Sequence, residues 1–314
     1  MRYGLDSPTW WLIFFLGVFL SLNLISCTAG EFPAAPPAET VPPKASTTPT
    51  KVLPTRSPES SLTPSPTLTP SPQPETPQNY CTATAGTVAA QQFDSEYLDS
   101  PLKFYIYLPP CYPQDEQRYP VIYLIHGQTY SNTHWLDLGV ADIADRLISE
   151  GESVPFIMVF PYDGQHFDPP PVNGFDESVL NELIPAIDGE YRTRAERVYR
   201  AIGGISRGGN WAVHLGLQYP GLFGAVGAHS TPVFSSDSNK EIRGWLDSIP
   251  LSEFPRLYLD AGTNDRWLQY TLVFEDLLSE ANVPYEWHLY PGFHDDDYWQ
   301  AHLDEYLRWY TREW

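Results

Sequence analysis

From Tyr80 onward the sequence predicts an α/β fold, a mostly parallel sheet covered by helices on both faces. Three observations predict it. Short apolar runs of strand length alternate with stretches of helical periodicity. Several of those runs, Val121 to Ile125 (VIYLI) and Pro155 to Phe160 (PFIMVF) among them, are apolar throughout, as strands buried on both faces must be. A Gly-x-Ser-x-Gly pattern, Gly204-Ile205-Ser206-Arg207-Gly208, falls where one such run passes into a helical stretch.

In chain order, residues 1–27 read as an export signal: Arg2, then the apolar run Trp10 to Leu22, then Leu24-Ile25-Ser26 leading to Cys27. Leu24 to Cys27 is similar to a bacterial lipobox, which makes Cys27 the expected lipid-attachment residue and the outer face of the cell membrane the expected location. An uncleaved membrane-spanning N-terminal helix is the competing reading, because the apolar run approaches spanning length. Residues 28–79 are dominated by Pro, Thr, Ser, Ala and Glu with few large aliphatics. Such a segment has no core to offset its ordering entropy and is expected to act as a disordered, extended tether.

Residues 80–314 then form the expected catalytic domain. Thr87 to Phe93 and Lys103 to Leu108 read as two early antiparallel strands, and Val121 to Ile125 as a buried strand entering the His126-Gly127 loop. Asp137 to Ser149 reads as a helix, Pro155 to Phe160 as a strand, Asp176 to Tyr191 as a helix and Arg197 to Gly203 as the strand before Ser206. A helix over Arg207 to Gln218 follows, then strands at Phe223 to Ala228 and Arg256 to Ala261, a helix over Trp267 to Ala281, a strand at Tyr285 to Tyr290 and a closing helix over Tyr298 to Trp314. Ligands of such sheets bind beyond the carboxyl ends of the strands, where the motifs below fall.

The formal charge of −21 argues against nucleic acid or an anionic membrane surface as a partner, since both attract Lys and Arg. With Cys27 assigned to processing, Cys81 and Cys111 are the one pair available for a disulfide, and geometry decides whether they bond. Their spacing is not that of a zinc site.

The strand–turn–helix setting of Ser206 is that of a nucleophile elbow on an α/β-hydrolase sheet; an N-capping serine on a Gly-rich turn is the alternative. A serine nucleophile needs a base, and the base needs an orienting carboxylate, in the chain order Ser, acid, His. Among the downstream histidines, His294 lies in a loop just after the last strand and is the expected base; His229 is the reserve, and otherwise a pocket-wall or structural residue. Asp260 and Asp265 compete for the acid, and Asp265, beyond the Gly262 turn, is the better placed. The backbone amides of Gln128 and Arg207 are the expected oxyanion donors. The Arg207 side chain can reach either a substrate carboxylate or a nearby acid. Trp135, Tyr162, Gln165 and His166, on loops at the same sheet edge, are candidate pocket walls, each with an ordinary packing role as the alternative. Asp295 to Asp297 read as an acidic loop and helix start, and the chemistry calls for neither metal nor cofactor.

Taken together, Leu124-Ile125-His126-Gly127 with Trp135, Leu183-Ile184-Pro185-Ala186-Ile187-Asp188 before Tyr191-Arg192-Thr193, Gly203 to Gly209, Tyr219-Pro220 to Phe223, and Gly292-Phe293-His294 to Trp299 resemble the Putative esterase family of α/β-hydrolases. That family includes feruloyl esterases, enterochelin esterases, S-formylglutathione hydrolases and mycolyltransferases. The resemblance runs from about Gly86 to Trp314 and implies Ser206 as nucleophile, Asp265 as acid, His294 as base and Gln128 and Arg207 as amide donors. Arg207 stands where many relatives carry Met. The resemblance implies a hydrolase of small-molecule or carbohydrate esters, with acetyl and feruloyl groups as expected substrates. An acyltransferase with a sugar hydroxyl as acceptor is the alternative, and a non-catalytic surface binding protein is a weaker one.

Overall fold

The computed structural model describes residues 81–114, 116–165 and 167–314. The signal, lipid-attachment and tether readings over residues 1–79, and His166, lie outside the described residues. Eight strands form one sheet in the order β1-β2-β4-β3-β5-β6-β7-β8: β1 (Thr87–Phe93), β2 (Leu102–Leu108), β3 (Val121–Ile125), β4 (Ile157–Pro161), β5 (Arg200–Ile205), β6 (Ala225–His229), β7 (Arg256–Gly262) and β8 (Glu286–Tyr290). β1 and β2 run antiparallel to their neighbours, and β4, β3, β5, β6, β7 and β8 pair in parallel. This is the α/β-hydrolase arrangement the sequence predicts.

The all-apolar strands have two cores to fill. In β3, Val121, Tyr123 and Ile125 join the core on one face, while Ile122 and Leu124 join the core on the other. The two-residue period of a strand sends successive side chains to opposite faces, so each must be apolar. Eight α-helical segments cover the sheet among the described residues: α1 (His134–Asp137), α2 (Val140–Ser149), α3 (Phe175–Ser178), α4 (Ile184–Glu190), α5 (Arg207–Gln218), α6 (Asn239–Ser248), α7 (Leu268–Glu280) and α8 (Asp296–Thr311). α2 and α8 pack on one face, and α3 to α7 contribute to the other.

Several elements differ from the sequence reading. The strand expected from Arg197 begins at Arg200, after a 3-10 turn at Arg197–Tyr199. The helix expected over Asp137 to Ser149 is two pieces, because Gly139 takes a left-handed conformation (φ 95°) between α1 and α2. The helix expected over Asp176 to Tyr191 contains a π-helical stretch at Val179–Leu183, just before Pro185 in the first turn of α4, where the ring removes a backbone donor. α6 lies where the sequence reading places no element, and it starts on a capping box between Ser238 and Glu241. Cys81 and Cys111 are disulfide-bonded across 30 residues, tying the entry of the domain to the turn after β2.

Candidate active site

β5 delivers Ser206 into a conformation that ordinary residues avoid (φ 54°, ψ −116°), at a cost of about 1–3 kcal/mol. The turn is held from several sides. The Ser206 amide donates to the His229 carbonyl at 2.7 Å, and Asn210 in the first turn of α5 donates back to the Ser206 carbonyl at 3.1 Å. Glycine is required on both flanks for space: a Cβ on Gly204 would lie 2.1 Å from the Gly208 backbone, and one on Gly208 would lie 2.1 Å from the Ile125 carbonyl oxygen.

Two loops bring His294 and Asp265 to this serine. The Thr263 amide donates to the Tyr290 carbonyl (2.7 Å) and that of Asn264 to Gly292 (2.8 Å), which draws the loop after β7 against the loop after β8. His294 Nε2 then lies 2.9 Å from Ser206 Oγ, and His294 Nδ1 lies 2.8 Å from Asp265 Oδ2. The second oxygen of Asp265 accepts the Trp267 amide at 2.7 Å, and the acid's side chain is fully buried. The edge of Trp299 meets the His294 ring at a 5.1 Å centroid separation. Asp295 caps α8 by accepting the Tyr298 amide, so the acidic run is a helix start.

Asp260, the competing acid, is committed elsewhere. Its Oδ1 lies 2.7 Å from His229 Nδ1, and its Oδ2 accepts the hydroxyls of Tyr298 and Tyr306, each at 2.7 Å. Burial first, then the Asp260 charge, hold the Tyr306 hydroxyl well above its ordinary pKa, so it stays a donor. His229 is wholly buried, lies 3.0 Å from the Tyr310 hydroxyl through Nε2 and packs 3.8 Å from the Tyr306 ring. It is neither base nor pocket wall; it is a core residue on the packed side of the elbow.

Gly127 and Gln128 follow β3 and border the cleft at Ser206. The Gly127 carbonyl is held by the Tyr130 amide (3.2 Å) and lies 2.8 Å from His126 Nδ1. His126 Nε2 accepts the Asp163 amide at 3.0 Å, which leaves the ring proton on Nδ1 to donate to that carbonyl. In a trans peptide the Gln128 N–H points opposite to the Gly127 carbonyl, so these bonds set its direction. The Arg207 amide is the first of α5, where helix geometry leaves it without an intrahelical acceptor.

The Arg207 side chain takes up the nearby-acid alternative. It is 8% exposed; Nε donates to Asp163 Oδ2 at 2.8 Å and Nη2 donates to the carbonyls of Gln165 (3.2 Å) and Asp168 (2.5 Å). Asp163 also accepts from Trp211 Nε1 and Asn173 Nδ2. Burial opposes its ionisation, but the Arg207 charge and these hydrogen bonds outweigh it and hold the carboxyl below its ordinary range.

The cleft over Ser206 has a volume of about 860 Å³. Phe167, Pro169, Val233 and Phe234 line it together with Trp267, Tyr270 and Val273, and polar Asn210 and Asp237 also border it. Trp135 and Tyr162, expected as walls, do not. Trp135 is 1% exposed and donates from Nε1 to the Ile125 carbonyl beneath β3; Tyr162 stacks on His126 behind the loop that follows β3. Gln165 is exposed and serves the Arg207 network through its backbone. The walls that sequence reasoning missed include Trp267 and Tyr270, spaced one helical turn apart immediately after Asp265. Among the described residues no group of three or more His, Cys, Asp or Glu is placed to hold a metal ion.

Comparison with known proteins gives the family and the fold. A segment of 147 residues, 43% of the chain, is 33% identical to an endo-1,4-beta-xylanase/feruloyl esterase of Xylanibacter ruminicola, and 137 residues are 33% identical to an esterase of Mycobacterium tuberculosis. These segments amount to 20% and 28% of the relatives' own lengths, so the chain matches only a part of each. A solved ferulic acid esterase superposes with a TM-score of 0.66 at 26% identity, covering 73% of this chain and all of its own. The ferulic acid esterase of Anaeromyces mucronatus shares the fold at 21% identity, with a TM-score of 0.59 and coverage of 71% and 90% of the two chains. The model of the Putative esterase family matches residues 95–310, and the chain belongs to that family.

Proposed function

We propose that this protein is an exported serine carboxylic-ester hydrolase working through an acyl-enzyme, with aromatic or acetyl esters of carbohydrates as its substrate class. The observation that carries the reading is the continuous line from Asp265 Oδ2 through His294 to Ser206 Oγ, 2.8 and 2.9 Å per link, at the floor of an aromatic-lined cleft. In this reading His294 Nε2 takes the hydroxyl proton as Ser206 Oγ attacks the ester carbonyl. The oxyanion is received by the amides of Gln128 and Arg207. Collapse of the tetrahedral intermediate expels the alcohol, to which His294 returns the proton. Water then repeats the sequence on the acyl-enzyme, releasing the acid and restoring Ser206. Asp265 keeps the imidazole in the Nδ1–H tautomer throughout.

A planar aromatic acyl group suits walls built from Phe234, Trp267 and Tyr270. The feruloyl esterase named among the relatives supports the same class. Export is supported by the Leu24 to Cys27 pattern and by the Cys81–Cys111 bond, a type of link rare in reducing compartments. In this reading the lipid on Cys27 and the proline-rich tether hold the catalytic domain at the outer face of the membrane.

The test is an ester panel: methyl ferulate, acetylated xylan, short and long p-nitrophenyl esters and a catecholate siderophore. Turnover of at least one ester is expected, with Ser206→Ala and His294→Ala each lowering it by about 10³-fold or more. Failure of the wild-type chain to turn over any ester or to be labelled by a fluorophosphonate would overturn the reading.

A further inference from the structure

The loop that offers the oxyanion amide and the loop that carries the base share one buried residue. His134, at the start of α1, is 2% exposed. Its Nδ1 accepts the Gly127 amide at 3.3 Å, one residue before the Gln128 donor. Its Nε2 lies 3.1 Å from Asp296 Oδ1, two residues after His294. These roles are compatible in only one form of the ring: Nδ1 must carry a lone pair, so the proton sits on Nε2 and is donated to Asp296. Burial, the largest influence on this ring, lowers its pKa and favours the neutral form, although Asp296 pulls the other way.

The surroundings fix the ring further. It stacks on Tyr130, the residue closing the turn from Gly127, at 3.7 Å and a 14° interplanar angle. It meets Trp299 edge-on at 5.7 Å, and Trp299 in turn meets His294. Asp296 acts on the same turn a second way: burial, and then Asp296, push the pKa of the Tyr130 hydroxyl up to about 12.

We propose that His134 is a positioning residue that locks the oxyanion loop to the base loop through Gly127 on one side and Asp296 on the other. The inference rests on the esterase reading above. His134 touches no reacting atom. It holds the Gly127 peptide, and with it the Gln128 amide, at a fixed distance from the His294 loop. Substrate binding uses the cleft walls, among which neither His134 nor Asp296 stands, so loss of the bridge is felt in the transition state and not in the Michaelis complex.

The experiment uses the full chain with p-nitrophenyl acetate, reading kcat, KM, melting temperature and the inhibition constant of a trifluoromethyl ketone that forms a tetrahedral adduct. His134→Leu, which removes both hydrogen bonds, is expected to lower kcat about 10- to 100-fold with KM within about threefold, since a whole oxyanion donor is worth about 10²–10³. Asp296→Ala is expected to lower kcat about five- to tenfold. Asp296→Asn keeps an acceptor for Nε2–H and His134→Gln keeps a donor and an acceptor, so each should recover most of the loss. The ketone's affinity should fall in parallel with kcat/KM. Asp296 is half exposed, so its variants are expected to fold even where His134→Leu does not. Wild-type kcat in Asp296→Ala, or equal losses in Asp296→Ala and Asp296→Asn, would overturn the proposal. Wild-type protein inert toward every ester and unlabelled at Ser206 would instead overturn the esterase reading, a different result.

Discussion

Two aspartates five residues apart compete for one role, and replacing each by asparagine separates them. In Asp265→Asn, one amide oxygen remains for two donors, the Trp267 amide and His294 Nδ1–H. If the oxygen stays with Trp267, the amide N–H₂ faces His294 Nδ1 and drives the ring proton to Nε2. Nε2 then cannot accept from Ser206, and the base is lost while the packing survives. The expected fall in kcat is about 10³- to 10⁴-fold, with little change in melting temperature. Asp260→Asn should do the reverse. Asp260 is wholly buried and takes three donors, from His229, Tyr298 and Tyr306. Charge-assisted hydrogen bonds are worth about 1.5–3 kcal/mol each, and an orphaned buried donor costs about 1–3 kcal/mol. Asparagine retains an oxygen for the tyrosines, and His229 can change tautomer toward the new N–H₂, so the net loss is about 2–4 kcal/mol rather than the full sum. At roughly 2–4 °C per kcal/mol for a domain of this size, the melting temperature should drop by about 5–15 °C. Its kcat, measured well below that temperature, should stay within about fivefold of wild type. Thermal unfolding and single-substrate kinetics on the same preparations decide the matter. A cold-inactive but thermally intact Asp260→Asn, paired with an active Asp265→Asn, would refute the assignment of the acid.

Three further outcomes follow from the same structure. Gly208→Ala should abolish ester turnover and destabilise the fold, because its Cβ would stand 2.1 Å from the Ile125 carbonyl oxygen; a well-folded, active variant would show that the elbow is not closed as described. Cys81→Ser with Cys111→Ser frees a 30-residue separation, and loop entropy puts the loss at roughly 3–4 kcal/mol; an unchanged urea midpoint would mean that the segment before β1 unfolds independently. For Asp163, whose carboxyl is held below its ordinary value in the folded state, pairing with Arg207 stabilises the protein above the unfolded carboxylate range of about 4 and is lost as pH falls through the lower folded value. The melting-temperature gap between wild type and Asp163→Asn should therefore be widest near neutrality and close at acid pH; a gap independent of pH would refute the ion-pair account.

The placing of Ser206, Asp265 and His294 is legible in the sequence because each is specified locally. Ser206 lies in a turn that only small flanking residues permit, and Asp265 and His294 lie in short loops after β7 and β8. α6 also had its signal, the Ser238 to Glu241 capping box, hidden by the charge-rich stretch that follows. The cleft walls had no such local signature. Trp135 stands in the short helix α1 and His229 at the end of β6, both at the sheet edge near Ser206, and their burial is decided by Tyr306 and, for His229, Tyr310, which α8 brings from far along the chain. Arg207 sits beside Ser206, and its direction is set by Asp163, 44 residues earlier. A charged side chain next to a catalytic serine invites a substrate-binding role, yet a buried guanidinium without a carboxylate would cost several kcal/mol. The partner thus had to exist somewhere in the domain, and the acidic residues at the ends of neighbouring strands were its candidates. Asp163 follows β4 by two residues, at the same carboxyl edge of the sheet as Arg207, so the topology brings together a pair that no sequence spacing could reveal.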